Sequence, residues 1–297
     1  MKQTPLQNAG TIAVIAPSSR GTPDDAGAKI LESRGFRVAI HPQNYATENQ
    51  SAGPAAQRAM TIMEVFGDEN VGAIMAARGG NRAMHTLPFL DFSLITFNPK
   101  PLIGFSDGTA LLNAIYAKTG MIGYHGPTLS RIAKAQQHEL DQMIACLQGK
   151  ASRVELDNAS TINGGKATGP MIGGNLSVFA ALCGTPFMPN VDGAILFLED
   201  IGDQLSRYDR MLAQLRLAGV FDRVAGIMFG VMAADGDSAM TPFGFSADDI
   251  IREHVKNLKV PVVMNAPFGH SGPLPTFPVG GIAELDTDNK VLSIKEL

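Results

Sequence analysis

Continuous apolar runs alternate with amphipathic stretches over the first 120 residues. Positions 11–16, TIAVIA, are apolar without interruption, the pattern of a strand buried on both faces, and Pro17, Ser18 and Ser19 end it. Residues 26–34 have helical spacing closed by Gly35, and residues 37–40 predict the next strand. Residues 55–66 predict a helix with Met60, Met63 and Phe66 as its apolar face, followed by a strand over 71–77 and a short helix over 83–87. A buried strand over 102–105 then leads into a helix over 109–117, which carries Leu111, Leu112, Ile115 and Tyr116 at helical spacing. Strand and helix in strict alternation predict the α/β class, with a parallel sheet and helices on both faces.

The texture changes past residue 118. A loop holding His125 precedes a helix over 139–147, and residues 151–169 are rich in Ser, Asn, Gly and Thr, which suits a boundary. We expect one domain over 1–155 and a second over 165–297. In the second, the pattern predicts a GGN turn at 173–175, a helix over 176–183 and an apolar strand over 194–198 that ends at Glu199 and Asp200. An amphipathic helix over 204–218 closes at Gly219, and strands over 224–232 and 260–264 flank a helix over 246–257. The stretch 267–281 is so rich in proline and glycine that no regular element is expected there; a turn at 287–289 leads to a last strand over 291–296.

Composition narrows the function classes. At 297 residues the chain is long enough for two domains, and 45% hydrophobic with 18% charged residues is ordinary for a soluble globular protein. A net charge of -4 without a basic block argues against a nucleic-acid partner. The first ten residues are polar and the apolar run after them is too short for a signal segment or a membrane span, so a cytoplasmic protein with no membrane association is expected. Cys146 and Cys183 lie far apart among apolar residues, with no CxxC spacing, and are expected as buried structural thiols. The six histidines form neither HxxxH nor HxH, so neither a metal nor any other cofactor is expected.

The candidate chemistry sits at 104–108, GFSDG, between a predicted strand and a predicted helix. A serine on such a sharp turn is pushed into solvent, Gly104 and Gly108 leave room around it, and the first N–H groups of the helix aim at the place where an oxyanion would be held. The competing explanation is that Ser106 or Asp107 merely caps the helix. After the strand over 71–77 comes ARGGN, whose paired glycines suit either a second oxyanion donor or a plain turn; it should share the carboxyl-end rim with Ser106. A serine hydroxyl needs an imidazole to take its proton, and that imidazole needs a carboxylate to fix its tautomer. Ser106, Glu199 and His270 fill these roles in chain order. Asp200 is the local competitor for the acid, since adjacent side chains in extended chain point opposite ways. His125 is a weaker candidate at a strand end.

The chain resembles the LD-carboxypeptidase family of cytoplasmic serine peptidases, which includes muramoyltetrapeptide carboxypeptidases and microcin C self-immunity peptidases. The resemblance rests on IAVIAPSS (12–19), ARGGN with LPFLDF (87–92), IGFSDGTALL (103–112), GPMIGGNLSVFAALCGTPF (169–187), FLEDIG (197–202), YDRMLAQLRLAG (208–219) and FGHSG (268–272). It implies a triad on Ser106, Glu199 and His270, with oxyanion donors at the N–H groups of Gly80 and Asp107. It also implies an N-terminal flavodoxin-like sheet and a smaller C-terminal β-rich swivelling domain, with the site between them. Where the family carries Gly-Tyr-Gly after ARG, this chain has Gly80, Asn81 and Arg82, and it has no tryptophan to stack a nucleobase. The implied activity is therefore removal of the terminal D-alanine from murein tetrapeptides in cell-wall recycling, with a self-immunity peptidase, a general esterase or a non-catalytic binding protein as alternatives. A fixed cation should neutralise the terminal carboxylate, and Arg78, Arg82, Arg207 and Arg210 are the candidates. The partner is a murein peptide; a homodimer is left open.

Overall fold

The first strand, β1 (Thr11–Ile15), is flanked on both sides by parallel partners, which is why its residues can be apolar without alternation. The computed structural model describes residues 4–22, 26–235 and 241–296, so residues 1–3 of the polar leader lie outside it. The chain divides into two units, one running to Ala151 and joined later by Pro275–Gly280, the other made of Ser152–Leu274 and Gly281–Lys295.

In the first unit β1 is followed by α1 (Ala26–Ser33), β2 (Arg37–Ile40), α2 (Ala55–Gly67) and β3 (Ala73–Ala76), then α3 (Phe92–Phe97), β4 (Leu102–Gly104), α4 (Gly108–Thr119), β5 (Gly123–His125), α5 (Leu129–Ile132) and α6 (Gln137–Leu147). The strands stand in the order β2-β1-β3-β4-β5, all parallel, which is the flavodoxin-like order. The order reverses between β1 and β3, and ligands of such sheets bind outside the carboxyl ends at that reversal. The loops there are Pro17–Ser19 and Arg78–Arg82, and the β4 end beside them carries Ser106.

Two local expectations change. The inward face of α2 is Arg58, Ala59, Ile62, Val65 and Phe66, whereas Met60 is 64% exposed. An arginine occupies a core position and so hides the true apolar stripe. The short helix expected over 83–87 is a 3-10 helix, Ala83–Phe89, with Pro88 inside it. His125 ends β5, the strand end expected for it, and is fully buried, edge-on to Phe105 and stacked on Phe277.

The second unit opens with β6 (Ser152–Glu155), β7 (Ser160–Asn163) and the long β8 (Lys166–Asn175), then α7 (Leu176–Ala180), β9 (Ile195–Ile201), α8 (Leu205–Leu217), α9 (Val220–Arg223), β10 (Gly226–Ala233), α10 (Ala247–Val255) and β11 (Val262–Met264). Next comes β12 (Phe277–Val279), which pairs antiparallel with β5 of the first unit to which it belongs, and finally β13 (Ile282–Asp286) and β14 (Val291–Ile294). β8, β9, β10 and β11 run parallel, with β7 antiparallel at the end, while the first half of β8 pairs with β13 in an antiparallel layer completed by β14 and β6.

Several polar stretches expected as loop are strand. β6, β7 and the first four residues of β8 fall where only linker composition is visible, and β12 crosses the proline-rich tail, since proline removes one donor but has a φ that a strand tolerates. The GGN at 173–175 is no turn but the end of β8, held by continued pairing that sets Asn175 opposite Glu199. β9 likewise runs past residue 198, because β8 pairs with it as far as Glu199 and β10 as far as Ile201. Glu199 and Asp200 are thus strand residues. Helix α7 ends at Ala180, leaving Cys183 half-buried rather than buried; Cys146 is buried as expected.

Asp286 closes β13, and its carboxylate accepts Lys166 Nζ at 2.7 Å and the backbone and side-chain N–H groups of Asn289 at 2.9 and 2.7 Å. The Lys166 hydrogen bond, followed by those from Asn289, holds the carboxyl well below the usual carboxylate range. A depressed carboxyl stabilises the fold above its unfolded pKa, and that contribution is lost as pH falls through the folded value. Asp286→Asn should therefore melt below the parent near pH 7, and the gap should begin to narrow only below about pH 4 and keep narrowing toward the lowest pH at which the fold survives. Melting temperatures of both proteins across that range check it; a constant gap would assign the effect to shape rather than charge.

Candidate active site

Ser106 is the hinge of the turn between β4 and α4, and it sits at φ +61°, in the left-handed region that non-glycine residues rarely adopt. Such a conformation costs on the order of 1–3 kcal/mol and persists only where the surroundings enforce it. The turn is closed by Gly108 N–H on the Phe105 carbonyl at 3.0 Å and Thr109 N–H on the Ser106 carbonyl at 2.9 Å. The room around the serine comes from elsewhere than expected. A β-carbon at Gly108 would meet nothing within 4 Å, and one at Gly104 only ordinary contacts. At Gly79 it would stand 2.8 Å from Ser106 Cβ and 3.2 Å from its Oγ. The glycine that the serine needs belongs to the ARGGN loop. Gly80, at φ +138°, packs as closely on the other side, where a β-carbon would collide with Ser19.

The backbone N–H groups of Gly80, in the ARGGN loop, and of Asp107, next to the serine in sequence, are, among the described residues, given to no backbone or side-chain acceptor. The Asp107 side chain does not cap α4. It is buried and turns back to accept the Ala83 N–H at 2.7 Å, and its burial pushes the carboxyl above the usual range, with the Ala83 hydrogen bond and the Arg58 charge pulling the other way. The capping explanation for the aspartate thus fails on geometry.

In the second unit Glu199 is wholly buried in β9, and its Oε2 accepts two hydrogen bonds from one residue: His270 Nδ1–H at 2.7 Å and the His270 backbone N–H at 3.0 Å. A carboxylate on Nδ1 assigns the lone pair of the neutral ring to Nε2. Gly269 makes the approach possible, since at φ +129° its missing β-carbon would lie 2.9 Å from Glu199 Oε2. The loop is tied to β10 through Val231 N–H on the Phe268 carbonyl and Ala266 N–H on the Phe229 carbonyl, both at 2.9 Å.

Asp200 faces the other way. It accepts the N–H groups of Ser177 and Ile201, both at 2.8 Å, and Asn175 Nδ2 at 3.0 Å, and burial raises its carboxyl. Glu199, not Asp200, meets the imidazole. Asn175, which caps α7 by accepting the Val178 N–H, holds the two acids apart; the GGN pattern at 173–175 was its only trace in the sequence.

The four candidate arginines fall two in each unit. Arg78 and Arg82 are exposed in the first unit, Arg82 at φ +77°. Arg207 and Arg210 are exposed on α8 of the second, where Arg207 pairs with Asp203 at 3.0 Å. Among the described residues no three His, Cys, Asp or Glu side chains stand together as metal ligands, and no helix is long and apolar enough to cross a membrane.

Residues 12–126 match the model of the LD-carboxypeptidase N-terminal domain and residues 168–285 that of the LD-carboxypeptidase C-terminal domain. The chain is 30% identical to the microcin C7 self-immunity protein MccF of Escherichia coli, over 91% of this chain and 87% of that one. It is 29% identical to the murein tetrapeptide carboxypeptidase of Pseudomonas aeruginosa, over 93% of each. The crystal structure of an MccF-like protein from Bacillus anthracis superimposes with a TM-score of 0.88 at 31% identity, covering both chains in full. Family models over both halves, on a sheet of flavodoxin-like order, establish that the chain belongs to the LD-carboxypeptidase family of serine peptidases.

Proposed function

We propose that this enzyme removes the terminal D-alanine from murein tetrapeptides, in the cytoplasm, as a step of cell-wall recycling. The likeness to the Pseudomonas aeruginosa murein tetrapeptide carboxypeptidase supports the substrate class, and the absence of tryptophan counts against a nucleotide-bearing one. The observation that carries the mechanism is the fully buried Glu199 carboxylate on His270 Nδ1, the arrangement an imidazole needs in order to act as a base through Nε2.

In this mechanism His270 Nε2 takes the proton of Ser106 Oγ as the oxygen adds to the carbonyl carbon before D-alanine. The carbonyl oxygen becomes an oxyanion, held by the N–H groups of Gly80 and Asp107. The C–N bond then breaks, with the Nε2 proton passing to the departing amine, and an acyl ester remains on Ser106. Water adds by the same route, giving its proton to Nε2, and the ester bond breaks as Ser106 Oγ is reprotonated. Glu199 keeps its charge throughout and stabilises the imidazolium.

Ser106→Ala and His270→Ala should each abolish most activity, and the double variant should lose little more, since members of one triad act as a unit. Glu199→Gln should keep the fold and lose on the order of 10⁴ in kcat. Steady-state rates of the folded variants check this, and multiplying losses would remove His270 from the mechanism. If Asp200→Asn is the more damaging change, Asp200 is the acid.

A carboxypeptidase must also neutralise the free terminus, and one cation, one nucleophile and the D-alanine methyl together select a hand. The enzyme should cleave the free L,D tetrapeptide and leave both its amide and the all-L analogue intact, as read by mass spectrometry. Equal rates on free and amidated peptides, together with turnover of p-nitrophenyl esters, would favour the esterase.

A further inference from the structure

Behind the Ser106 turn, two buried charges meet on one peptide group. Arg58 is 1% exposed and reaches from α2 to three carbonyl oxygens of irregular chain: Gly53 through Nε at 3.1 Å, and Pro17 and Arg82 through Nη1, the latter at 2.9 Å. Asp107 Oδ2 accepts the Ala83 N–H at 2.7 Å. The Arg82 carbonyl and the Ala83 N–H are the two ends of the same peptide plane. That plane is held by a cation at one end and a carboxylate at the other, with Arg82 itself in the left-handed region.

The location matters for the reaction. Gly80 lies two residues before the held plane, and the loop around it has little burial of its own, for Arg78, Gly80, Asn81 and Arg82 are all exposed. Asp107 follows Ser106 directly. Through Pro17, the same guanidinium also holds the loop after β1, and Ser19 of that loop packs against Gly80. We propose that Arg58 is a positioning residue for the oxyanion site: with Asp107 it clamps the Arg82–Ala83 peptide and thereby sets the Gly80 N–H at a fixed spacing from the Asp107 N–H.

This inference rests on the proposed roles of Ser106, Gly80 and Asp107. Burial acts on both charges, raising the Asp107 carboxyl and lowering the Arg58 guanidinium, while their mutual attraction opposes both shifts. Lysine cannot replace the arginine, because one ammonium group lacks the flat fork that spans three carbonyls.

The test compares Arg58→Lys, Arg58→Met and Asp107→Ala with the parent enzyme. A misplacement of about 1 Å costs about 10²-fold in rate, so Arg58→Lys should lower kcat by that order with KM little changed. Affinity for a peptidyl boronic acid, which forms a tetrahedral adduct with Ser106 Oγ, should fall by the same factor as kcat/KM. Affinity for an uncleavable substrate analogue should hold. A merely structural arginine would lower the melting temperature and leave kcat and the boronate affinity at parent values, and that result overturns the proposal.

Should the variants fail to fold, hydrogen exchange of the Ala83 amide in the parent decides. The clamp requires protection at core level beside exposed neighbours, and fast exchange sinks it. Ser106→Ala retaining full activity would remove the catalytic reading and the clamp with it. Parent-like kcat in Arg58→Lys, in an enzyme that Ser106→Ala inactivates, removes the clamp alone.

Discussion

A serine held at φ +61° is unstable on its own account, and the architecture of the first unit is arranged so that no other conformation fits. Leu102 and Ile103 are locked in the middle of a parallel sheet, and the first two turns of α4, from Gly108 to Ile115, are buried, so neither flank of the turn relaxes freely. From above, the Gly79 backbone closes on the serine side chain so tightly that a methyl group would not fit. The strain is therefore enforced from two sides by elements with large buried area, each fully buried Leu or Ile contributing roughly 1.5–3 kcal/mol. What that enforcement yields is a hydroxyl carried on a strained turn after β4, closed in by the Gly79 backbone.

The second unit solves a different problem, which is to hold a carboxylate in place while removing it from water. Glu199 is fully buried and has lost the hydrogen bonds that water would give it. Two hydrogen bonds from His270 to one oxygen, with a longer one from Asn175 to the other at 3.5 Å, replace part of the lost hydration. The backbone N–H of His270 is the less obvious of the two. It ties the orientation of the ring to the chain that carries it, so the imidazole cannot swing without pulling Gly269 and Pro273 with it. Asp200, one residue on, is consumed by the start of α7 and is thereby kept from competing.

Periodicity made the parallel sheet of the first unit legible, because β1, β3 and β4 are buried on both faces and read as unbroken apolar runs. The Glu199–His270 contact is legible in the sequence for a chemical reason, since few residue types suit an acid paired with a base. Strands whose residues alternate between half-buried and exposed, such as β6 with SRVE and β7 with STIN, left no apolar run to detect, and β12 was masked by proline. The role of glycine was misplaced because a close approach between Gly79 and Ser106 joins positions far apart in sequence. Arg58 was missed although its phase was readable: it lies four residues before Ile62 and seven before Val65, on the inward stripe of α2. An arginine in step with an apolar face is the signal, and Met60 and Met63 on the neighbouring face obscured it.

That arginine bears on how the site is held. Its neighbours on the inward face of α2, Ala59, Ile62, Val65 and Phe66, gain stability simply by leaving water. A guanidinium in the same row must give up its hydration, and a well-packed apolar residue of similar volume is often as stable or more so. Its presence is therefore poorly explained by stability. Its partners are the explanation: Pro17, Gly53 and Arg82 present carbonyls at the irregular ends of elements, where Arg82 alone also takes a helical N–H, that of His85 at 3.2 Å, and all three belong to segments that surround the carboxyl ends of β1 and β3. Parallel sheets position their strand ends well and their loops poorly. A single buried cation reaching into three loops converts the regularity of α2 into order at the place where the sheet itself supplies none.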